Sequence, residues 1–203
     1  MKKLLIIAAG IALLMTGCNE VKDRDGNVYK TVKIGNQVWM AQNLNVQIEE
    51  SWCYDDNPAN CEKYGRLYTW SAAKNACPEG WHLPSKEEFE VLINWVGGEK
   101  IAGRKLKSRS GWGSSDSDNG TDDLGFSVLP AGAKGYNGGD YYCEGHYASF
   151  WNYTERNDSY DPLMRFSYAK DHAYIMRFFN DKDLAYQTYD YKGWGYSVRC
   201  VKD

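Results

Sequence analysis

The sequence predicts an α+β fold, one domain behind a short leader, with its helices early and its strands late. Three observations predict it. Apolar residues at helical spacing, with start and stop signals, fall between residues 70 and 98. A Gly-Asn pair between alternating segments marks a hairpin near the front. The second half is aromatic and β-prone, cut by Gly, Asn and Asp turns. A chain of 203 residues can bury a sizeable core.

The leader is "MKKLLIIAAGIALLMTGC": Lys2 and Lys3, an uncharged apolar run from Leu4 to Met15, then small residues before a cysteine. This is the layout of a secretory signal, and the run is too short to span a bilayer permanently. Leu14-Met15-Thr16-Gly17-Cys18 resembles the lipobox of bacterial lipoproteins, with Met15 in place of the more usual leucine. The resemblance implies a signal peptide over 1–17, lipidation of Cys18 and attachment to a membrane through the acyl chains. With Asn19 next, the expected location in a two-membrane cell envelope is the outer membrane or cell surface. Residues 18–25 are short and polar and read as a tether, leaving 26–203 as the domain.

In "NVYKTVKIGNQVWM", Val28, Val32 and Ile34 share one strand face and Gly35-Asn36 is a two-residue turn signal, so a β-hairpin opens the domain. Alanine-rich "YTWSAAKNACP" predicts a short helix over about 70–76, ended by Pro78. Ser85 followed by Glu88 is a capping box. Phe89, Leu92, Ile93 and Val96 then give one apolar face, and Gly97-Gly98 the stop. Residues 109–125 read as a long loop. Beyond it, "GFSVLPAG", "HYASFWNYT", "LMRFSYA", "AYIMRFF", "AYQTYDY" and "GYSVRCV" read as five or six antiparallel strands with no further long helix.

Without residues 1–17 the chain keeps 22 basic and 27 acidic side chains, a formal charge of −5, and no cluster of Lys and Arg, so nucleic acid is not an expected partner. Export places Cys53, Cys61, Cys77, Cys143 and Cys200 where disulfides persist. Five is odd, and spacing alone fixes no connectivity. The polar turn "YDDNPAN" between Cys53 and Cys61 favours that local bridge.

"IGNQVWMAQNLN", "CEKYGRLYTWSAAKNACPEGWHLPSKEEF", "DDLGFSVLPAG", "ASFWNYTE" and "GYSVRCVKD", in that order, resemble the Fibrobacter succinogenes major paralogous domain of exported bacterial proteins, from about Asp25 to Asp203. That family is similar to C-type lectin-like domains and to the formylglycine-generating enzyme fold. The resemblance implies two short helices packed on a twisted antiparallel sheet with long irregular loops. It also implies a bridge between Cys77 and Cys200, leaving Cys143 unpaired.

Four groups of residues invite chemistry. Cys77, His82, Glu87 and Glu88 crowd together, but neither Cys-x-x-Cys nor His-x-x-x-His occurs, and His82 reads as a packed histidine rather than a zinc ligand. Cys143 with Glu144 and His146 could form a reactive thiol, yet the closely spaced late cysteine pair of the related enzymes is missing, so no catalytic residue is assigned. Asp116, Asp118, Asn119, Asp122 and Asp123 supply oxygen ligands for Ca²⁺ over eight residues. The loop is no EF-hand, since Gly120 sits one position early and Ser127 stands where a bidentate glutamate belongs, and the lectin calcium signatures are missing. Tyr136, Tyr141, Tyr142 and Tyr147 lie in a Gly-rich stretch that reads as surface loop, where aromatic faces can dock sugars or proteins. Trp39, Trp81, Trp95, Trp151 and Trp194 read as core. The expected function is a lipid-anchored extracytoplasmic binding or adhesion module, not an enzyme, recognising polysaccharide or a surface protein through loops 109–160. A sulfatase-modifying type of enzyme and a structural envelope protein without small ligand are the alternatives.

Overall fold

Asp23 fixes the first turn. In the computed structural model, which describes residues 20–156 and 169–203, its carboxylate accepts from the backbone N–H groups of Asp25 and Asn27, from Asn27 Nδ2 and from the Tyr29 hydroxyl. That network folds β1 (Glu20–Lys22) antiparallel onto β2 (Val28–Ile34). Of the stretch read as a tether, Glu20–Lys22 is therefore a paired strand and Asp23–Asp25 its turn, while Cys18 and the leader lie outside the described residues. β3 (Gln37–Met40) returns across Gly35-Asn36 with Ile34 opposite Gln37, the predicted hairpin. Both faces of this hairpin are covered: Ile34 and Val32 enter one core and Tyr29 another, whereas Val28 is exposed.

β4 (Ser51–Trp52) pairs with β5 (Leu67–Tyr68), and between them lies α1 (Pro58–Tyr64), where the sequence suggested only a loop. Asn57 caps α1 through its side chain and Pro58 takes the first turn. α2 (Trp70–Ala73) is shorter than the predicted 70–76, because Asn75 and Ala76 donate to the carbonyls of Ala72 and Ala73, tightening the chain before Pro78. After β6 (Trp81–His82), α3 (Lys86–Trp95) begins with both halves of the Ser85–Glu88 capping box in place and buries Phe89, Leu92 and Ile93. A further helix, α4 (Glu99–Leu106), follows Gly98. The described chain thus has four α-helices where the resemblance implied two.

The remaining strands are β7 (Ala133–Lys134), β8 (Tyr141–Tyr142), β9 (Tyr147–Glu155), β10 (His172–Phe179), β11 (Ala185–Tyr191) and β12 (Val201–Lys202). "GFSVLPAG" makes isolated bridges rather than a strand, through Val128 to Lys107 and Gly132 to Ala148. Nearly all of "LMRFSYA" falls outside the described residues. The pairing gives a five-stranded sheet in the order β1-β2-β3-β12-β6, a three-stranded sheet β11-β10-β9 and the ribbons β4-β5 and β7-β8, a mixed α and β fold of curled antiparallel sheets. One core packs α3 and α4 against Trp39, Phe126, Phe150 and Phe178; the other gathers Tyr29, Tyr68, Trp70, Trp151, Tyr196 and Val198.

Two bridges tie these layers: Cys53 to Cys61 beside α1, and Cys77 to Cys200 across a sequence separation of 123, while Cys143 is free and exposed. The tryptophans divide. Trp39 and Trp151 are fully buried, Trp81 and Trp194 are half-buried, and Trp95 is 63% exposed. Trp95 was expected in the core, but it lies on the outer side of α3, over the hairpin turn. A Cβ on Gly35 would stand 2.9 Å from its ring.

Candidate functional site

The glycines on either side of Trp194 build the site. Gly193 passes so close to the loop after β7 that a Cβ there would stand 2.7 Å from the Tyr136 ring, and its carbonyl accepts from Asn137 N–H at 2.9 Å. Gly195 exchanges backbone hydrogen bonds with Lys134 at 3.0 and 2.8 Å. Only residues without a Cβ permit that approach. It brings Tyr136 and Tyr142 to the segment that carries Trp194.

The result is a row of rings running from solvent into the core. Tyr142, 43% exposed, lies 5.8 Å from Trp194. Trp194 stacks on Tyr196 with an interplanar angle of 4°, and Tyr196 meets buried Trp151 at 5.0 Å. Tyr136, 54% exposed, stands edge-on to Tyr191 beside this row. Rings anchored to the core hold their exposed neighbours in fixed orientation, at little entropic cost on binding.

Polar groups flank the row. Arg177 donates to Ser149 Oγ, Asp190 Oδ2 and the Tyr196 hydroxyl at 3.0, 3.0 and 3.2 Å, and Tyr196 donates to Asp190 at 2.7 Å. Burial works against the Arg177 charge, but the Asp190 carboxylate and its hydrogen bond outweigh it and keep the guanidinium ionised. Burial also pushes the phenols of Tyr147 and Tyr196 well above the ordinary tyrosine range, so both stay protonated. The Tyr147 ring lies 5.6 Å from the Arg177 guanidinium.

Of the four predicted tyrosines, the structure brings Tyr136, Tyr142 and Tyr147 to this region and turns Tyr141 away. Tyr141 donates to Asp56, packs on Tyr54 and carries the Lys134 ammonium 3.6 Å over its ring. The sequence reading missed Trp194, Arg177 and Asp190. The Gly-Trp-Gly pattern was the available signal for Trp194; nothing local marks the Arg177–Asp190 pair, which forms only when β10 and β11 align.

The predicted calcium residues are distributed differently. Asn119 accepts from Trp112 N–H, and Asp122 accepts from both the N–H and the hydroxyl of Ser127. Asp118 faces Ser115 N–H and Asn180, while Asp116 and Asp123 point to solvent. Among the described residues, no three His, Cys, Asp or Glu side chains gather as a metal-holding group. The buried cation of this region is Lys107, 1% exposed, whose three N–H donors are shared among the carbonyls of Asp118, Phe179, Asn180 and Lys182 at 2.7, 2.9, 2.9 and 3.2 Å. Burial lowers its pKa, opposed by Asp183, Asp118 and Asp181.

His82 differs from its predicted role. Its side chain is 41% exposed, with Nδ1 2.6 Å from Asp203 and Nε2 2.9 Å from Glu88, so it clamps the chain's last residue to the capping box of α3. Burial opposes protonation, yet these two carboxylates outweigh it and raise the imidazole pKa. Cys77 and Cys200, bridged to one another, offer no thiol.

Residues 32–202 match the Fibrobacter succinogenes major domain. No curated protein and no solved structure matches the chain.

Proposed function

The chain belongs to the Fibrobacter succinogenes major domain family, and on that premise we propose that it is a lipid-anchored extracytoplasmic binding module that holds polysaccharide on the aromatic row. The observation that carries the proposal is the exposed pair Tyr142 and Tyr136 beside Trp194, which stacks on Tyr196, itself edge-on to buried Trp151. Sugar rings present an apolar C–H face rimmed by hydroxyls. Fixed aromatic faces suit the first, and a charged pair such as Arg177–Asp190 suits the second. The scaffold we assign is C-type lectin-like, supported by the bridge from Cys77 to Cys200 beside the final strand. Cys18 is the lipid-bearing residue in this reading, and the cell envelope its location.

An affinity screen of the protein against insoluble plant-wall glycans tests the reading, with Tyr142→Ala plus Trp194→Ala as the comparison. The wild type should be retained by at least one glycan and the double variant released. Absence of wild-type retention on every glycan would point to a protein partner instead; equal retention of both would place binding elsewhere on the surface.

A further inference from the structure

A half-open cleft of about 240 Å³ lies between the β1–β2 turn and α1, outside the aromatic row. Its walls are fixed. Tyr29 donates to Asp23 at 2.5 Å and accepts from the Asn45 backbone at 2.9 Å. Cys61 is bridged to Cys53, and Gly65, at φ 72°, passes so near the chain that a Cβ would stand 2.7 Å from the Leu44 carbonyl. The floor is Asn43, whose amide donates to Tyr64 O at 2.8 Å and whose oxygen accepts from the buried Arg199 guanidinium. The cleft is preformed rather than a gap between mobile side chains.

Around the rim, hydrogen-bonding capacity is left over. Among the described residues, the Asn45 side chain has no hydrogen-bond partner. Gln42 uses its oxygen, accepting from Lys30 N–H at 2.7 Å, and Asn27 uses its amide nitrogen, donating to Asp23 at 2.9 Å. Gln42 and Asn27 both line the cleft, and among the described residues Gln42 Nε2 and Asn27 Oδ1 have no hydrogen-bond partner. Val28, 55% exposed, and Leu129 supply apolar surface.

We infer that this cleft is a second ligand subsite, which takes one neutral, hydroxyl-rich ring: a single sugar unit. Side-chain amides donate and accept, as hydroxyls do, and the apolar patches suit C–H faces. An anion has little to bind, since the Lys63 ammonium already lies 4.3 Å over the Tyr64 ring and 3.6 Å from Glu144. An extended peptide finds no open strand edge here, because β2 is paired with β1 on one side and β3 on the other. The volume falls below the ~300–1,000 Å³ of drug-sized sites, which fits one ring rather than a longer ligand. The choice of a sugar rests on the proposed glycan function, while the residues are different ones.

The test titrates ¹⁵N-labelled protein with methyl glycosides of glucose, galactose, mannose, xylose and N-acetylglucosamine, and follows amide shifts. At least one glycoside should move the Asn45 and 62–65 backbone signals and the side-chain amides of Asn27, Gln42 and Asn45. Asn45→Ala should weaken that binding about tenfold, the worth of one or two hydrogen bonds, with an unchanged thermal midpoint. Tyr142→Ala plus Trp194→Ala should leave these shifts intact. If no glycoside moves the cleft signals, or if Asn45→Ala binds as the wild type does, the subsite is disproved. Retention of long glycans by the aromatic row would then stand or fall by itself.

Discussion

Two stretches crowd reactive side chains together, and they use them in different ways. Residues 76–92 spend theirs on joints: Cys77 reaches Cys200 and His82 reaches Asp203 across the chain, while Ser85 with Glu88 starts α3 locally. Residues 107–147 spend polar groups within the loop, through Asn119 and Asp122, and Lys107 ties that loop to the carbonyls that follow β10. They leave aromatic faces uncovered at Tyr136 and Tyr142. A crowd of reactive residue types therefore marks a site only where some bonding capacity is left unspent. By that criterion the first region is a joint and the second a surface.

The largest effects should come from the covalent joints. Replacing Cys77 and Cys200 by alanine should cost about 5 kcal/mol in the chain-entropy account, against about 2.5 kcal/mol for Cys53 and Cys61, whose loop is far shorter. Denaturant unfolding of both double variants checks the ratio. Equal losses would mean that 76–92 is no more a long-range joint than the α1 loop.

Next comes Lys107→Met, which removes the ammonium from four carbonyls and should cost about 3 kcal/mol, read as a lower urea midpoint. A loss under about 0.5 kcal/mol, as for an ordinary surface change, would show that the loops hold their shape without this internal cation.

A smaller, pH-dependent effect belongs to His82. Its folded pKa is raised, so its stabilisation is fully present below the unfolded value of about 6.5 and is lost as pH rises through the higher folded one. With its side chain 41% exposed, solvent screens the interaction. The thermal midpoint of wild type should exceed that of His82→Asn at about pH 6 and converge with it at about pH 9. A gap that does not narrow would make the clamp a packing contact.

Tyr142→Ala should be the mildest to the fold, within about 0.5 kcal/mol, because its ring is half in solvent. A larger loss would turn the ring into a structural element.

The hairpin at Gly35-Asn36, the capping box and the strands now numbered β9 to β11 were legible because each depends on local pattern. The helix α4 was not. Gly103 sits in its middle and lowers helix propensity by about 1 kcal/mol. The structure explains that glycine, since a Cβ there would stand 2.5 Å from the Leu184 carbonyl. The helix α1 did carry its signals, Asn57 and Pro58, but the polar turn residues between Cys53 and Cys61 made the segment read as a loop, although Cys61 lies inside the helix. The tyrosines of the candidate site could be read from composition. Trp194 carried only its flanking glycines as a signal, because its partial exposure depends on how Gly193 and Gly195 let other loops approach.

The uncovered rings, not the acidic loop, are the proposed binding surface. Retention on a plant-wall glycan should be measured for wild type with and without a calcium chelator, for Tyr142→Ala plus Trp194→Ala, and for Asp116→Ala plus Asp123→Ala. The aromatic variant should be released while the acidic variant and the chelated wild type are retained in full. Release by the chelator or by the acidic variant, with the aromatic variant still held, would contradict that assignment.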